Sequence, residues 1–211
     1  MKPLRPLYLA LYYPVMLLAQ LLFRLLFPIK TYGRENLPRG GHVLAPNHVN
    51  AIDPLFVVLA RGLRAKMIVM GKAELFRING LLNFFWNMAG VFPVDRGTGN
   101  RGAVDDAVQA VRDGRGLLIF PEGTRGEEGQ LGRLKSGAFV VAQEAGAAMV
   151  PCVIWYAAGK PKPFRRVFVA FGPPVGLEEL GLSGPHSAKK LRAAKTLFAE
   201  KLQTLREEHK P

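Results

Sequence analysis

The sequence predicts an α/β fold: a single domain whose largely parallel or mixed sheet is wrapped by helices, preceded by an N-terminal hydrophobic segment that anchors to membrane. Three observations lead there. From about residue 40 onward, short apolar runs alternate with segments of helical period, the pattern of strand-helix-strand units. Residues 6–23, PLYLALYYPVMLLAQLLF, carry no charge, which approaches the roughly 20 residues that cross a hydrocarbon core. The formal net charge is +13, so the chain expects an anionic partner.

The N-terminal segment comes first. Lys2 and Arg5 precede the apolar stretch while Arg24 and Lys30 follow it, so positive charge marks neither end as inside. Pro14 interrupts the run, and no small-residue cleavage pattern follows it, which argues against a removable signal peptide. We read residues 1–29 as an embedded or interfacial anchor; the competing reading is an ordinary buried helix. No acid occurs before Glu35, which favours an anionic lipid surface.

Residues 30–211 form the folded domain. Strands are expected at HVLAP, KMIVM, GVFPV, GLLIF, MVPCVIWY and RRVFVAFG. Helices are expected at PLFVVLARG, ELFRINGLLNFFWNMAG, AVDDAVQAVRDG and KSGAFVVAQEAG. The final segment, from Ser187 to His209, places Leu191, Ala194, Phe198, Leu202 and Leu205 on one helical face, so it packs as a closing helix. Gly and Pro cluster at 157–163 and 172–176, which marks loops.

Within this frame, NHVNAIDP at residues 47–54 holds a histidine and an aspartate five positions apart. On a regular helix positions i and i+5 diverge by about 140°, so His48 and Asp53 meet only across a bend. Pro54 favours a helix beginning there, with Asp53 as its N-cap. His48 then ends a strand or loop, and the carboxylate holds one imidazole nitrogen while the other faces a substrate. The plainer alternative is a capping aspartate beside a surface histidine.

A second signal is GLLIFPEGTRG. An apolar strand runs into Glu122, Gly123, Thr124 and Arg125, at the kind of strand end where ligands of open α/β sheets bind. Arg125 suits a bidentate grip on phosphate, Thr124 adds a donor, and Gly123 opens backbone N–H groups to close approach. Lys135 adds charge. The alternative is a polar turn in which Glu122 and Arg125 pair with each other.

GTGNRG at 97–102 matches the dinucleotide fingerprint, twenty residues before Glu122, and supports an NAD(P)-binding oxidoreductase as the rival reading. Asp95 and Arg96 stand where a tight apolar turn is required, and Pro121 interrupts the strand that would present the acid. A flexible loop before a helix explains it as well. The histidines at 42, 48, 186 and 209 and the single Cys152 lack zinc-ligand spacing, so we expect no metal and no cofactor. Cys152 lies in an apolar run and is expected as a buried thiol. No nucleic-acid motif accompanies the basic charge.

NHVNAIDP, GVFPVDR, FPEGTRG and VPCVI, in that order, resemble the motif set of the glycerolipid acyltransferases, closest to the bacterial lysophosphatidic acid acyltransferases. The resemblance covers roughly residues 30–172. It implies that His48 is a general base and Asp53 its partner. It implies that Asn47, Lys72, Arg96, Glu122, Gly123, Thr124 and Arg125 bind the glycerophosphate substrate, with Val150 and Pro151 at the acyl-binding side. Gly126 departs from the serine frequent in the family and removes one hydroxyl contact. The resemblance further implies acyl-CoA or acyl carrier protein as donor, lysophosphatidic acid as acceptor, and a place on the cytoplasmic face of the cell membrane. Another lysolipid or glycerol 3-phosphate is the alternative acceptor. With no G-x-S-x-G and no histidine near Cys152 in sequence, direct transfer is expected rather than an acyl-enzyme.

Overall fold

The computed structural model describes residues 14–15, 17–18, 21–62, 67–72, 91–94, 101–127 and 129–209. Seven strands form one sheet: β1 (Ile29–Tyr32), β2 (His42–Pro46), β3 (Met67–Lys72), β4 (Val91–Val94), β5 (Gly116–Leu118), β6 (Met149–Tyr156) and β7 (Val167–Phe171). Their order is β1-β7-β6-β2-β5-β3-β4. Every pairing is parallel except β6 with β7, so the sheet is mixed. Strands β2 to β6 run one way, and β7 and β1 run the other. One edge therefore gathers the C-terminal ends of β2, β5 and β6 with the N-terminal ends of β1 and β7, and this edge carries the site described below.

Two layers of helix cover the sheet. Helices α2 (Arg101–Arg112), α3 (Gly137–Ala145) and α4 (Ala188–His209) pack on one face with Ala107, Val111, Phe139, Ala142 and Phe198. On α4, Ala194, Phe198, Leu202 and Leu205 are buried as their spacing predicts, and Leu191 packs half-buried against them. Phe198 meets the ring of Phe139 edge-on at 5.7 Å. Helix α1 (Asp53–Arg61) covers the other face and is buried from Phe56 to Arg61. Its near-continuous burial has a cause: residues 21–26 are helical, and Phe23 and Phe27 close over it. Phe27 stands 5.2 Å from Phe56, and Phe56 stands 6.0 Å from Tyr156, both edge-on. An aromatic column thus joins the N-terminal segment to the strand end beside Asp53. Burying an aromatic ring contributes about 1.5–3 kcal/mol.

The mixed sheet fits the sequence expectation, and three features of its strands add to or depart from the detail. Strand β1, IKTY, follows the apolar segment directly and has only four residues, too few for an alternating pattern to register. Strand β7 returns antiparallel because only the short loop 157–166 separates it from β6, too little chain for a parallel crossover. Strand β5 stops at Leu118 rather than continuing to Phe120, although Ile119 still donates to the Leu44 carbonyl at 3.0 Å. The expected helix at 74–90 lies outside the described residues.

His42 opens β2 fully buried, with Nδ1 at 2.8 Å from the Gly40 carbonyl. A Cβ on the neighbouring Gly116 would come within 2.8 Å of the ring, so glycine there makes room for it. Burial, with a smaller push from the Arg61 charge, takes the imidazole below its ordinary 6.5; the Gly40 bond opposes this. The folded state therefore holds His42 neutral at a pH where the unfolded chain already takes up protons. Its contribution to stability is complete above 6.5 and is lost as pH falls below that value. We expect the urea midpoint to drop as pH is lowered from neutrality through this window, and His42→Gln to flatten that slope.

Candidate active site

Residues 47–53 leave β2 in a tight bend, and the bend is held by one carboxylate. Asp53 is wholly buried. Its Oδ2 accepts from His48 Nδ1 at 2.9 Å and from the backbone N–H groups of Val49 and Asn50, each at 2.7 Å. Its Oδ1 accepts from the Tyr156 hydroxyl. Four donors thus satisfy a charge that would be costly to bury alone. Asp53 is not the N-cap: that place belongs to Ile52, and Asp53 is the first helical residue, reaching back rather than forward. The consequence suits chemistry. Nδ1 of His48 carries the proton that Asp53 accepts, and Nε2 is left as a base at a side chain 11% exposed.

The FPEGTRG loop clamps His48 through its backbone. Glu122, buried at the end of β5, accepts from the His48 N–H at 2.9 Å and from the Gly132 N–H at 2.7 Å. Gly126 donates to the His48 carbonyl at 2.8 Å. The Phe120 ring stacks on the imidazole at 3.9 Å between centroids. Both Glu122 oxygens are thus engaged by amides, not by Arg125, so among the described residues the Glu122–Arg125 pair does not form. The same geometry removes the acid that a GTGNRG dinucleotide site requires; residues 97–100 of that motif lie outside the described residues. Gly132 is held to glycine because a Cβ there would lie 2.5 Å from Glu122 Oε2. At Gly126 the same contact is 3.2 Å, so a serine would require a small shift.

The other sequence-predicted residues differ in their placement. Thr124 and Arg125 are exposed beside the clamp. Asn47 is a structural tie instead: its amide accepts from Ile154 N–H at 2.7 Å and donates to the Ile154 carbonyl at 3.1 Å, joining β2 to β6 beyond the ladder. Gly123 has its N–H closed onto the Phe120 carbonyl at 3.0 Å. Its φ of 69° and the Lys135 side chain, 2.8 Å from where a Cβ would sit, explain the glycine. Val150 and Pro151 are buried within β6. Lys72 ends β3 on the edge that bears His48, and Arg96 lies outside the described residues.

Sequence reasoning missed Tyr156 and a cluster of cations. Tyr156 closes the apolar run VPCVIWY, where a strand-end tyrosine carries no local sign of a partner 103 positions away. A cavity of about 470 Å³ beside Glu122 is lined by Thr124, Arg133, Lys135, Ser136 and Lys195, a surface suited to phosphate oxygens. Cys152 is buried and unbridged. Burial first, then the Asp53 charge, pushes its thiol well above the ordinary value, which disfavours the thiolate that a nucleophile needs.

Tyr156→Phe keeps the ring and removes one donor to the buried carboxylate. We expect a stability loss of about 1.5–3 kcal/mol, the range for bonds to charged groups. Turnover should fall while KM for both substrates holds. Chemical denaturation alongside steady-state kinetics checks both.

An acyltransferase family model matches residues 28–155. The 1-acyl-sn-glycerol-3-phosphate acyltransferase of Arabidopsis thaliana chloroplasts is 34% identical over 133 residues, covering 61% of this chain and 36% of that protein. The enzyme of that name from Bacillus subtilis is 34% identical over 125 residues, covering 58% and 60%. The chain thus matches between about a third and three-fifths of the length of these relatives. The crystal structure of the 1-acyl-sn-glycerophosphate acyltransferase of Thermotoga maritima superposes with a TM-score of 0.70 at 21% identity, over 100% of this chain and 84% of that one, a likeness of fold.

Proposed function

The chain belongs to the acyltransferase family, and from that premise we propose that it transfers a fatty acyl group from an acyl thioester to the sn-2 hydroxyl of lysophosphatidic acid, giving phosphatidic acid. The observation that carries the chemistry is the buried Asp53 carboxylate on His48 Nδ1. A glycerol hydroxyl is a weak nucleophile near neutral pH, and His48 Nε2 takes its proton as the oxygen attacks the thioester carbonyl. The new C–O bond forms, the carbonyl oxygen takes up negative charge, and collapse of that intermediate breaks the C–S bond. The departing thiolate receives the proton from His48. Asp53 stabilises the imidazolium between those two transfers. No acyl-enzyme is required, which agrees with the inaccessible Cys152.

In this reading Thr124 and Arg125, with Lys72 and Arg96, hold the acceptor phosphate, while Glu122 and Asn47 position the loops. The donor is carried by CoA or by acyl carrier protein. Relatives named 1-acyl-sn-glycerol-3-phosphate acyltransferases support the acceptor.

The enzyme works at the cytoplasmic face of the membrane. Leu17, Leu18, Leu21, Leu22 and Leu25 are 50–70% exposed, while Phe23 and Phe27 of the same segment pack inward. Such a segment lies in an interface by its apolar face. Among the described residues no helix is long and apolar enough to cross a bilayer.

Thiol release by the purified protein tests the assignment. We expect release from acyl-CoA or acyl carrier protein only when lysophosphatidic acid is added, with glycerol 3-phosphate a poor substitute. Preference for glycerol 3-phosphate or another lysolipid would reassign the acceptor.

A further inference from the structure

Loop 157–166 connects β6 to β7 and reads AAGKPKPFRR. It holds four cations, Lys160, Lys162, Arg165 and Arg166, and no acid. Phe164 is 72% exposed at φ 62°. An aromatic residue in the left-handed region is a sterically poor choice for a turn, and an exposed ring gives nothing back to the core. From sequence, residues 157–163 read as a loop and Arg165 and Arg166 as the start of a strand.

The position of the loop gives it a use. It follows the C-terminal end of β6, where Tyr156 holds Asp53, so it stands on the edge that carries His48. The Phe164 N–H donates to the Leu26 carbonyl at 2.5 Å, and Val167 N–H donates to the Pro28 carbonyl at 3.0 Å. The ring is thereby tied to the end of the segment whose leucines are exposed. Ala157 N–H closes the base of the loop onto the Arg166 carbonyl at 3.0 Å.

We propose that this loop is a second membrane contact: the Phe164 ring enters the interfacial layer of an anionic bilayer while Lys160, Lys162, Arg165 and Arg166 hold its headgroups. The proposal rests on the membrane reading above and adds to it a site outside the N-terminal segment. A ring and a basic cluster side by side match the two components of interfacial binding, apolar area and attraction to anionic lipid. With contacts on both sides of the β1–β7 junction, the edge bearing His48 is presented to the bilayer surface in one orientation.

The test uses the full-length protein with phosphatidylcholine vesicles, alone or mixed with phosphatidylglycerol, read by co-sedimentation. Phe164→Gly removes the ring and suits φ 62°, so the fold is kept; thermal melts confirm it for each variant. We expect Phe164→Gly to weaken binding to both vesicle types roughly five- to tenfold, from partial burial of a ring. The double change Arg165→Gln with Arg166→Gln should weaken binding to the anionic vesicles alone, by roughly fivefold per charge at low salt. If the wild type binds vesicles and both variants bind as tightly, the loop proposal is overturned and the membrane reading stands, the loop then facing some other partner. If the wild type binds neither vesicle type, both readings fall together.

Discussion

His48→Ala is expected to abolish most turnover and to leave the fold intact. A positioned general base contributes about 10²- to 10⁴-fold, and neither neighbouring carboxylate is free to replace it: Asp53 is sealed under four donors, and Glu122 is engaged by two amides. The fold survives because the His48 backbone keeps its bonds to Glu122 and Gly126 whatever the side chain. The lost ring gives up its stack on Phe120 and its Nδ1 bond to Asp53, whose carboxylate keeps the Val49, Asn50 and Tyr156 donors. Thiol release with circular dichroism on the same preparation measures both. Retention of more than about half of wild-type kcat would remove His48 from the role, given that range.

Asp53→Asn is expected to be nearly as damaging, by a different route. The amide oxygen can keep the three donors now on Oδ2, and the amide nitrogen can face Tyr156, whose hydroxyl accepts as readily as it donates. The bend and the Nδ1 proton are thus preserved. What disappears is the negative charge beside an imidazolium that forms only during the reaction. Breaking a buried charge pair by removing one partner costs about 3–5 kcal/mol. Borne by the transition state, that is a loss in kcat of roughly 10²-fold to several thousand-fold, with KM little changed. An Asp53→Asn enzyme within a few-fold of wild type would mean that His48 never carries charge.

These two residues were legible in the sequence because their information is local. A histidine and an aspartate five apart, followed by proline, require a bend, and the bend is there. The alternation of strands and helices and the apolar face of α4 were equally readable, since each depends on periodicity within one segment. The roles of Tyr156, Asn47 and Glu122 were not. Tyr156 reaches Asp53 across 103 positions, and Asn47 reaches Ile154 across 107. Such partners are fixed by the neighbouring of β2, β5 and β6 in the sheet, which no run of residues announces. Glu122 illustrates the difference: beside Arg125 in sequence it reads as part of a ligand loop, yet burial turns its side chain inward onto two backbone amides. The direction of β7 and the existence of β1 were hidden for the same reason, since pairing and not composition defines them.

The central claim is direct transfer from thioester to acceptor hydroxyl with His48 as base. A single turnover of the full-length enzyme with labelled acyl thioester and lysophosphatidic acid tests it, following phosphatidic acid and the intact protein mass together. The account predicts that phosphatidic acid forms with the wild type, that none forms with His48→Ala, and that the protein mass never changes. An acylated protein that appears and decays as fast as product accumulates, or product formed at an undiminished rate without His48, would contradict it.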